Sequence, residues 1–192
     1  GGGSNRHPES DVNVDVRPGP KVDFTANFEE PLPIASDEWD AVLCQYALEH
    51  LPFAKVLGFL KEVLRILKPG GTAVFVTPNT EAQMKWVAEH PEGWDGKGSF
   101  EAASEVLFGS QDYEANSHRT FFSPVIVRRL FAAVGFENVV VRPYGERATD
   151  MCVEAAKSGQ RELPLSPDKQ FIPVPDPTGQ LGLYPQSPVT QV

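Results

Sequence analysis

A chain of 192 residues suits one domain with its own core and leaves too little for two. It is 41% hydrophobic and 22% charged, which excludes collagen-like and disulfide-scaffold classes, and its net charge of -9 disfavours nucleic acid as a partner. Cys44 and Cys152 stand far apart in apolar runs without ligand spacing, so buried free thiols and a cytoplasmic location are expected. No apolar stretch reaches the length of a membrane span, so no membrane partner is expected.

In chain order, residues 12–16 (VNVDV) alternate apolar and polar and stop at Arg17-Pro18-Gly19-Pro20, which predicts a strand and a turn. Residues 22–26 read as a second short strand, ended by Pro31 and Pro33. Residues 39–44 (WDAVLC) form a near-continuous apolar run, the pattern of a strand buried on both faces in a parallel sheet. The clearest helix covers 53–68: Phe53, Val56, Leu57, Leu60, Val63, Leu64 and Leu67 recur at three- and four-residue steps. Pro69-Gly70-Gly71 is read as its stop and cap, followed by a buried strand over 72–77. Residues 80–120 break the pattern, with helices expected at 80–90 and 100–108. Ser123-Pro124 then opens a helix whose stripe is Val127, Leu130, Phe131 and Val134 and whose cap is Gly135. Strands follow at 139–141 and 151–155, and from Gly159 onward proline and polar residues predict an extended or disordered tail.

Strands alternating with helices give an α/β layered domain with a mostly parallel sheet, whose ligands bind beyond the carboxyl ends of the strands. Four such places matter together: Gly1-Gly2-Gly3-Ser4-Asn5, Asp15 at the end of strand 12–16, Asn27-Phe28 after the second strand, and Gln45 to His50 after the third. A glycine loop lets the backbone approach a bulky cofactor, and an acid closing the next strand can accept both hydroxyls of a ribose. Read alone, the glycines fit a linker and the acid a turn.

With the module helix-Lys68-Pro69-Gly70-Gly71-strand, this arrangement resembles the class I S-adenosylmethionine-dependent methyltransferases over roughly residues 1–156, and "HRTFFSPVIVRRLFAAVGFENVVV" resembles that family's closing helix and strand. The resemblance implies a Rossmann-like doubly wound sheet over 1–158, with 80–120 as a substrate-side insertion and 159–192 as a Pro-rich tail. It implies S-adenosylmethionine as cofactor. Gly1 and Gly3 would lie against its methionine portion and Asp15 on the ribose. Asn27 would receive the adenine amino group, Phe28 would offer its backbone amide to the ring, and Gln45 would lie under the methionine end.

The chain departs from the family in two ways. Asp15 lies only twelve positions on from Gly3, where a full helix would put it about twenty on. No strand precedes the glycine loop, so the family's first strand is expected to be missing. That should leave a slot between strands 12–16 and 39–44 rather than a closed-up sheet.

His118, in "NSHRTFF", and then His50 are the candidate general bases, since histidine titrates near neutrality. Structural roles compete for both. A sub-group of RNA methyltransferases resembles the stretch around Glu49-His50 but has a further glutamate where Tyr46 stands here, so too few ligands are counted and no metal is expected. Trp86 and Trp94 could cover a substrate, with ordinary packing the competing account, and Tyr113 and Arg119 are positional candidates for substrate contact. The expected reaction is methyl transfer to an O, N or C atom of a small molecule or glycan precursor. The rival readings are a non-catalytic domain of the same fold, used for binding or assembly, and a nicotinamide-dinucleotide protein, which the missing helix after the glycine loop disfavours.

Overall fold

The computed structural model describes residues 12–90 and 100–159. Gly1, Gly3, Trp94 and nearly all of the Pro-rich tail lie outside the described residues, so the expectations placed on them find no answer in the fold.

Two short parallel strands come first, β1 (Val14–Asp15) and β2 (Phe24–Thr25). Both are shorter than the sequence suggests, because polar side chains take over the backbone at their ends. The Asn13 amide donates to Asp23 Oδ2 and the Arg17 amide to Asp15 Oδ1, at 2.6 and 2.9 Å. Strand β3 (Trp39–Gln45) runs parallel to β4 (Leu67–Pro78). Strand β6 (Asp150–Lys157) lies between β4 and β5 (Phe136–Tyr144) and is antiparallel to both. The order β3-β4-β6-β5 thus has three strands running one way and one reversed, the mostly parallel sheet expected.

Helix α1 (Phe53–Ile66) ends earlier than its sequence pattern, and by another device. Leu67 is already extended and pairs with Trp39, and Pro69 disfavours helical backbone at Lys68, the residue that would otherwise continue the helix. Pro69-Gly70-Gly71 is therefore not the helix cap: Leu67 pairs with Trp39, pairing resumes at Ala41 and Thr72, and the residues between bulge from β4. Gly70 carries a φ of 75°, and a Cβ on Gly71 would lie 2.8 Å from the Lys68 carbonyl oxygen. The buried stripe also differs from the one read in sequence. Val56, Phe59, Leu60, Val63 and Ile66 face the core, whereas Phe53 and Leu57 are exposed.

Helix α4 (Pro124–Val134) follows the sequence closely: Ser123 Oγ accepts from the Ile126 amide, and Gly135 closes the helix at φ 108°. Together α1 and α4 cover the sheet face that carries Ala73, Phe75, Met151, Val153 and Ala155. A smaller cluster of Val76, Tyr144 and Cys152, with Val74 against it, lies on the opposite face. Both cysteines are free and buried, as expected.

The β1-β2 pair and the four-stranded sheet are separate ladders, and among the described residues β1 does not pair with β3. The sheet has not closed up. The pair is held by its side chains instead, since Val14, Phe24, Ala26, Phe28 and Leu32 join the core shared with α1 and α4. Between β4 and α4 the chain makes an excursion through α2 (Thr80–Glu89) and α3 (Phe100–Phe108). It closes on itself where the Thr80 amide donates to the Phe122 carbonyl at 2.9 Å and the Phe122 amide to Thr80 Oγ1 at 3.3 Å.

Candidate active site

The chain turns sharply at the end of β3. Tyr46 takes the left-handed φ of 47° while its amide donates to the Val76 carbonyl, a strained position of the kind that gathers at functional sites. A single 3-10 turn, Leu48–His50, follows. The Glu49 carbonyl accepts from the amides of Arg119 and Thr120 at 2.8 and 3.2 Å, and Thr120 Oγ1 donates to the Leu51 carbonyl at 2.6 Å. These bonds fasten the end of the excursion to the end of β3. They bring together two histidines 68 positions apart in sequence, with ring centroids 5.2 Å apart.

Glu49 is the buried carboxyl of this site, 1% exposed. Its Oε2 accepts from Thr77 Oγ1 at 3.0 Å, while Oε1 is buried without a hydrogen-bond partner, 4.0 Å from His50 Nε2. Burial pushes the Glu49 carboxyl up to about 7, with the Thr77 bond pulling the other way. His50 Nδ1 lies 3.1 Å from the Ser117 carbonyl oxygen, and His118 Nδ1 lies 3.1 Å from that of Leu107. A carbonyl only accepts, so each Nδ1 carries the proton and each Nε2 keeps its lone pair. Burial holds both imidazoles below the ordinary histidine range, reinforced at His118 by His50. One donor atom from each of Glu49, His50 and His118 lies within 4.8 Å of the others.

Of the residues read as the cofactor edge, Asp15, Asn27, Phe28 and Gln45 lie among the described residues. Asp15 closes β1 and is 6% exposed, with Oδ1 accepting from the Arg17 amide. The Arg17 guanidinium lies 4.0 Å over the Tyr113 ring, which ties the loop after β1 to the excursion. Asn27 follows β2, exposed, with Oδ1 accepting from the Glu29 amide at 3.0 Å. Phe28 is half-buried and stacks on Phe59 of α1 with centroids 5.2 Å apart. Arg119, beside His118, pairs with Glu29 at 3.3 Å, so the loop after β2 reaches the histidine cluster. Gln45 is the last residue of β3 and is half-buried.

A further cavity of about 150 Å³ is lined by Gln83, Trp86, Val106, Arg147, Thr149 and Asp150. Tyr46 Oη donates to Asp150 Oδ2 at 3.0 Å, linking this cavity to the end of β3, and burial holds the Asp150 carboxyl above its usual range. Trp86 lies flat against His90, at 4.6 Å and 8°. Sequence reasoning missed Thr77, Gly109 and Asp150. Thr77 ends an apolar strand run, where a hydroxyl would have been the signal. Gly109 packs beneath His118: at its φ of 75° a Cβ would meet the Asn116 carbonyl at 2.5 Å and His118 Cδ2 at 3.1 Å.

A mostly parallel sheet covered by helices, with Glu49 and His50 just beyond the carboxyl end of β3, has the architecture of a Rossmann-like α/β domain of the class I methyltransferase type. The sequence profile of the family described as "Methyltransferase domain" matches residues 6–141, and the chain belongs to that family. Among solved structures, a Methanosarcina mazei SAM-dependent methyltransferase is 15% identical. It has a TM-score of 0.51, with 78% of this chain and 82% of that one covered. A SAM-dependent methyltransferase of Thermotoga maritima is 18% identical, with a TM-score of 0.49 and 72% and 65% coverage. An O-methyltransferase family protein of Burkholderia thailandensis is 12% identical, with a TM-score of 0.47 and 73% and 37% coverage. The chain spans between 34% and 65% of the length of the first five solved structures it matches. No curated protein matches it. Among the described residues, no helix is long and apolar enough to cross a membrane.

Proposed function

We propose that this chain serves an enzyme transferring the methyl group of S-adenosylmethionine to an O, N or C nucleophile of a small molecule. The observation that carries the reading is the buried Asp15 closing β1, within a domain of the methyltransferase family. A carboxylate held in place at a strand end can accept from both vicinal hydroxyls of a ribose, two charge-assisted hydrogen bonds. The Arg17 amide already fixes the Asp15 rotamer.

When bound, the cofactor brings a methyl group activated by its sulfonium. The work left to the protein is alignment and care of the acceptor's proton. Asp15 would hold the ribose, Asn27 and Phe28 the adenine end, and Gln45 with Gly1 and Gly3 the methionine end. His118, with His50 behind it, would face the acceptor, where a neutral Nε2 lone pair can receive a proton. The segment 80–120 would cover the substrate side, with Trp86 and the cavity beside Asp150 as its acceptor pocket. Calorimetric titration tests the reading: S-adenosylmethionine and its demethylated product should bind and nicotinamide dinucleotides should not. The opposite selectivity would end it.

A further inference from the structure

We propose that Glu49, His50 and His118 form a binding site for one divalent first-row transition metal ion, zinc(II) being the best fit. Four independent features of the geometry converge on a cation. The three donors come from two distant segments locked by the hydrogen bonds of the Arg119 and Thr120 amides to the Glu49 carbonyl. Both imidazoles are oriented by Nδ1–H bonds to backbone carbonyls at 3.1 Å, the arrangement that fixes the tautomer and aims Nε2 at a metal. Glu49 Oε2 is held by Thr77 Oγ1. Glu49 Oε1 is left buried without a hydrogen-bond partner, and a cation would give it one.

The distances suit this occupant. Zinc bonds of about 2.1 Å in tetrahedral geometry hold neighbouring donors about 3.4 Å apart. The donor atoms here lie within 4.8 Å of one another, with Glu49 Oε1 and His50 Nε2 at 4.0 Å. A contraction of roughly an ångström, within side-chain reach, closes the set. Imidazole and carboxylate donors favour zinc(II) or its first-row neighbours over magnesium, which prefers oxygen ligands and its own waters. Three protein ligands would leave a fourth position for water or an oxygen of a bound molecule; a loaded site takes up both Nε2 lone pairs, so the proton transfer proposed for His118 belongs to the metal-free chain. Counting ligands along the sequence around Glu49 gives too few, because the third comes from the far end of the excursion. Tyr46, where a further carboxylate would stand, instead gives its hydroxyl to Asp150.

The test needs neither cofactor nor acceptor, so its failure is separable from failure of the methyl-transfer reading. The full chain, stripped with a chelator, is titrated with cobalt(II) while visible absorption is followed, then back-titrated with zinc(II). One cobalt per chain with ligand-field bands, displaced by one zinc, is the expected result. His118→Ala and His50→Ala should each weaken cobalt binding by at least about a hundredfold with circular dichroism unchanged. Glu49→Gln, which keeps the shape and the Thr77 contact, should weaken it similarly, and His90→Ala should bind as the parent does. If Glu49→Gln fails to fold, the two histidine variants decide. No retention of cobalt or zinc at micromolar concentration, or parental affinity in His118→Ala, overturns the site and returns the imidazoles to proton transfer.

Discussion

Asp15 and Gly109 show how much of this molecule is decided at single positions. Asp15 is 6% exposed at a strand end, where the Arg17 amide and guanidinium hold it at 2.9 and 3.8 Å, and the ribose of the proposed cofactor would add its own hydrogen bonds. Asp15→Ala should weaken binding of S-adenosylhomocysteine by about 1.5–3 kcal/mol, the range of a hydrogen bond to a charged group. Unchanged affinity by calorimetry would remove Asp15 from the ribose. Gly109 and Gly58 make a contrasting pair. Gly109 sits at φ 75° with the Asn116 carbonyl and the His118 ring where a Cβ would go, whereas nothing lies within 4 Å of a Cβ on Gly58. Gly109→Ala should cost about 1–3 kcal/mol in backbone strain and displace His118. Gly58→Ala, in the middle of α1, should stabilise by about 0.5–1 kcal/mol. Denaturant melts of the two variants should therefore move in opposite directions, and movement in the same direction would contradict the local geometry.

Among the elements, α1 works as a clamp as well as a core helix. Arg65 donates to Glu62, to the Ile34 and Leu32 carbonyls and to Ser36 Oγ, while Glu62 Oε2 accepts from the Leu32 amide at 2.9 Å. The Arg65 hydrogen bond holds the Glu62 carboxyl below its ordinary range, with the Leu32 amide helping. A carboxyl depressed in the folded state contributes stability that is fully present above its unfolded value of 4.5 and is lost as pH falls through the lower folded value. The parent should therefore lose about 1 kcal/mol relative to Glu62→Gln as pH drops below that point, an amount kept small by solvent screening. Parallel acid titrations of the two stabilities would count against the clamp.

The same helix shows what the sequence carried and where it stopped. Periodicity located α1 and α4, because helix patterns and the Ser123 and Gly135 caps are local signals, and the helices expected at 80–90 and 100–108 correspond to α2 and α3. The succession of strands along the chain was legible, and their lengths were not. The ends of β1 and β2 are set by Asp15, Asp23 and Asn13 side chains acting on the backbone. The function of Lys68-Pro69-Gly70-Gly71 was misread because a bulge beside β3 is a tertiary fact, invisible to a stop-signal rule. His50 and His118 were found as separate candidates. Their meeting depends on the Glu49 carbonyl bonds to residues 119 and 120, which no spacing announces.

At the scale of the whole molecule, a chain of aromatic contacts joins its parts. Phe28 stacks on Phe59 at 5.2 Å, Phe59 meets Phe75 edge-on at 6.4 Å, Phe75 meets Phe131 at 5.0 Å, and Phe131 meets Phe136 at 5.1 Å. This path runs from the loop after β2 through α1, β4 and α4 to β5. Phe28 to Phe59 is thus one of the packing links between the two-stranded pair and the larger sheet. The pair has a ladder of two residues per strand, and β4 and β6 share seven partners. Local opening free energy follows packing and ladder length, so the amides of residues 13–26 should exchange far faster than those of 72–77 and 151–156. Truncating Phe59 to alanine should cost about 3–5 kcal/mol overall. Truncating the half-buried Phe28 should cost less and accelerate exchange chiefly in residues 13–26. The same measurement bears on function. If Asp15, Asn27 and Phe28 hold the cofactor, saturating S-adenosylhomocysteine should slow exchange in residues 13–28 and leave β5 and β6 unchanged. Protection spread evenly over the sheet, or confined to α2 and α3, would place the ligand elsewhere.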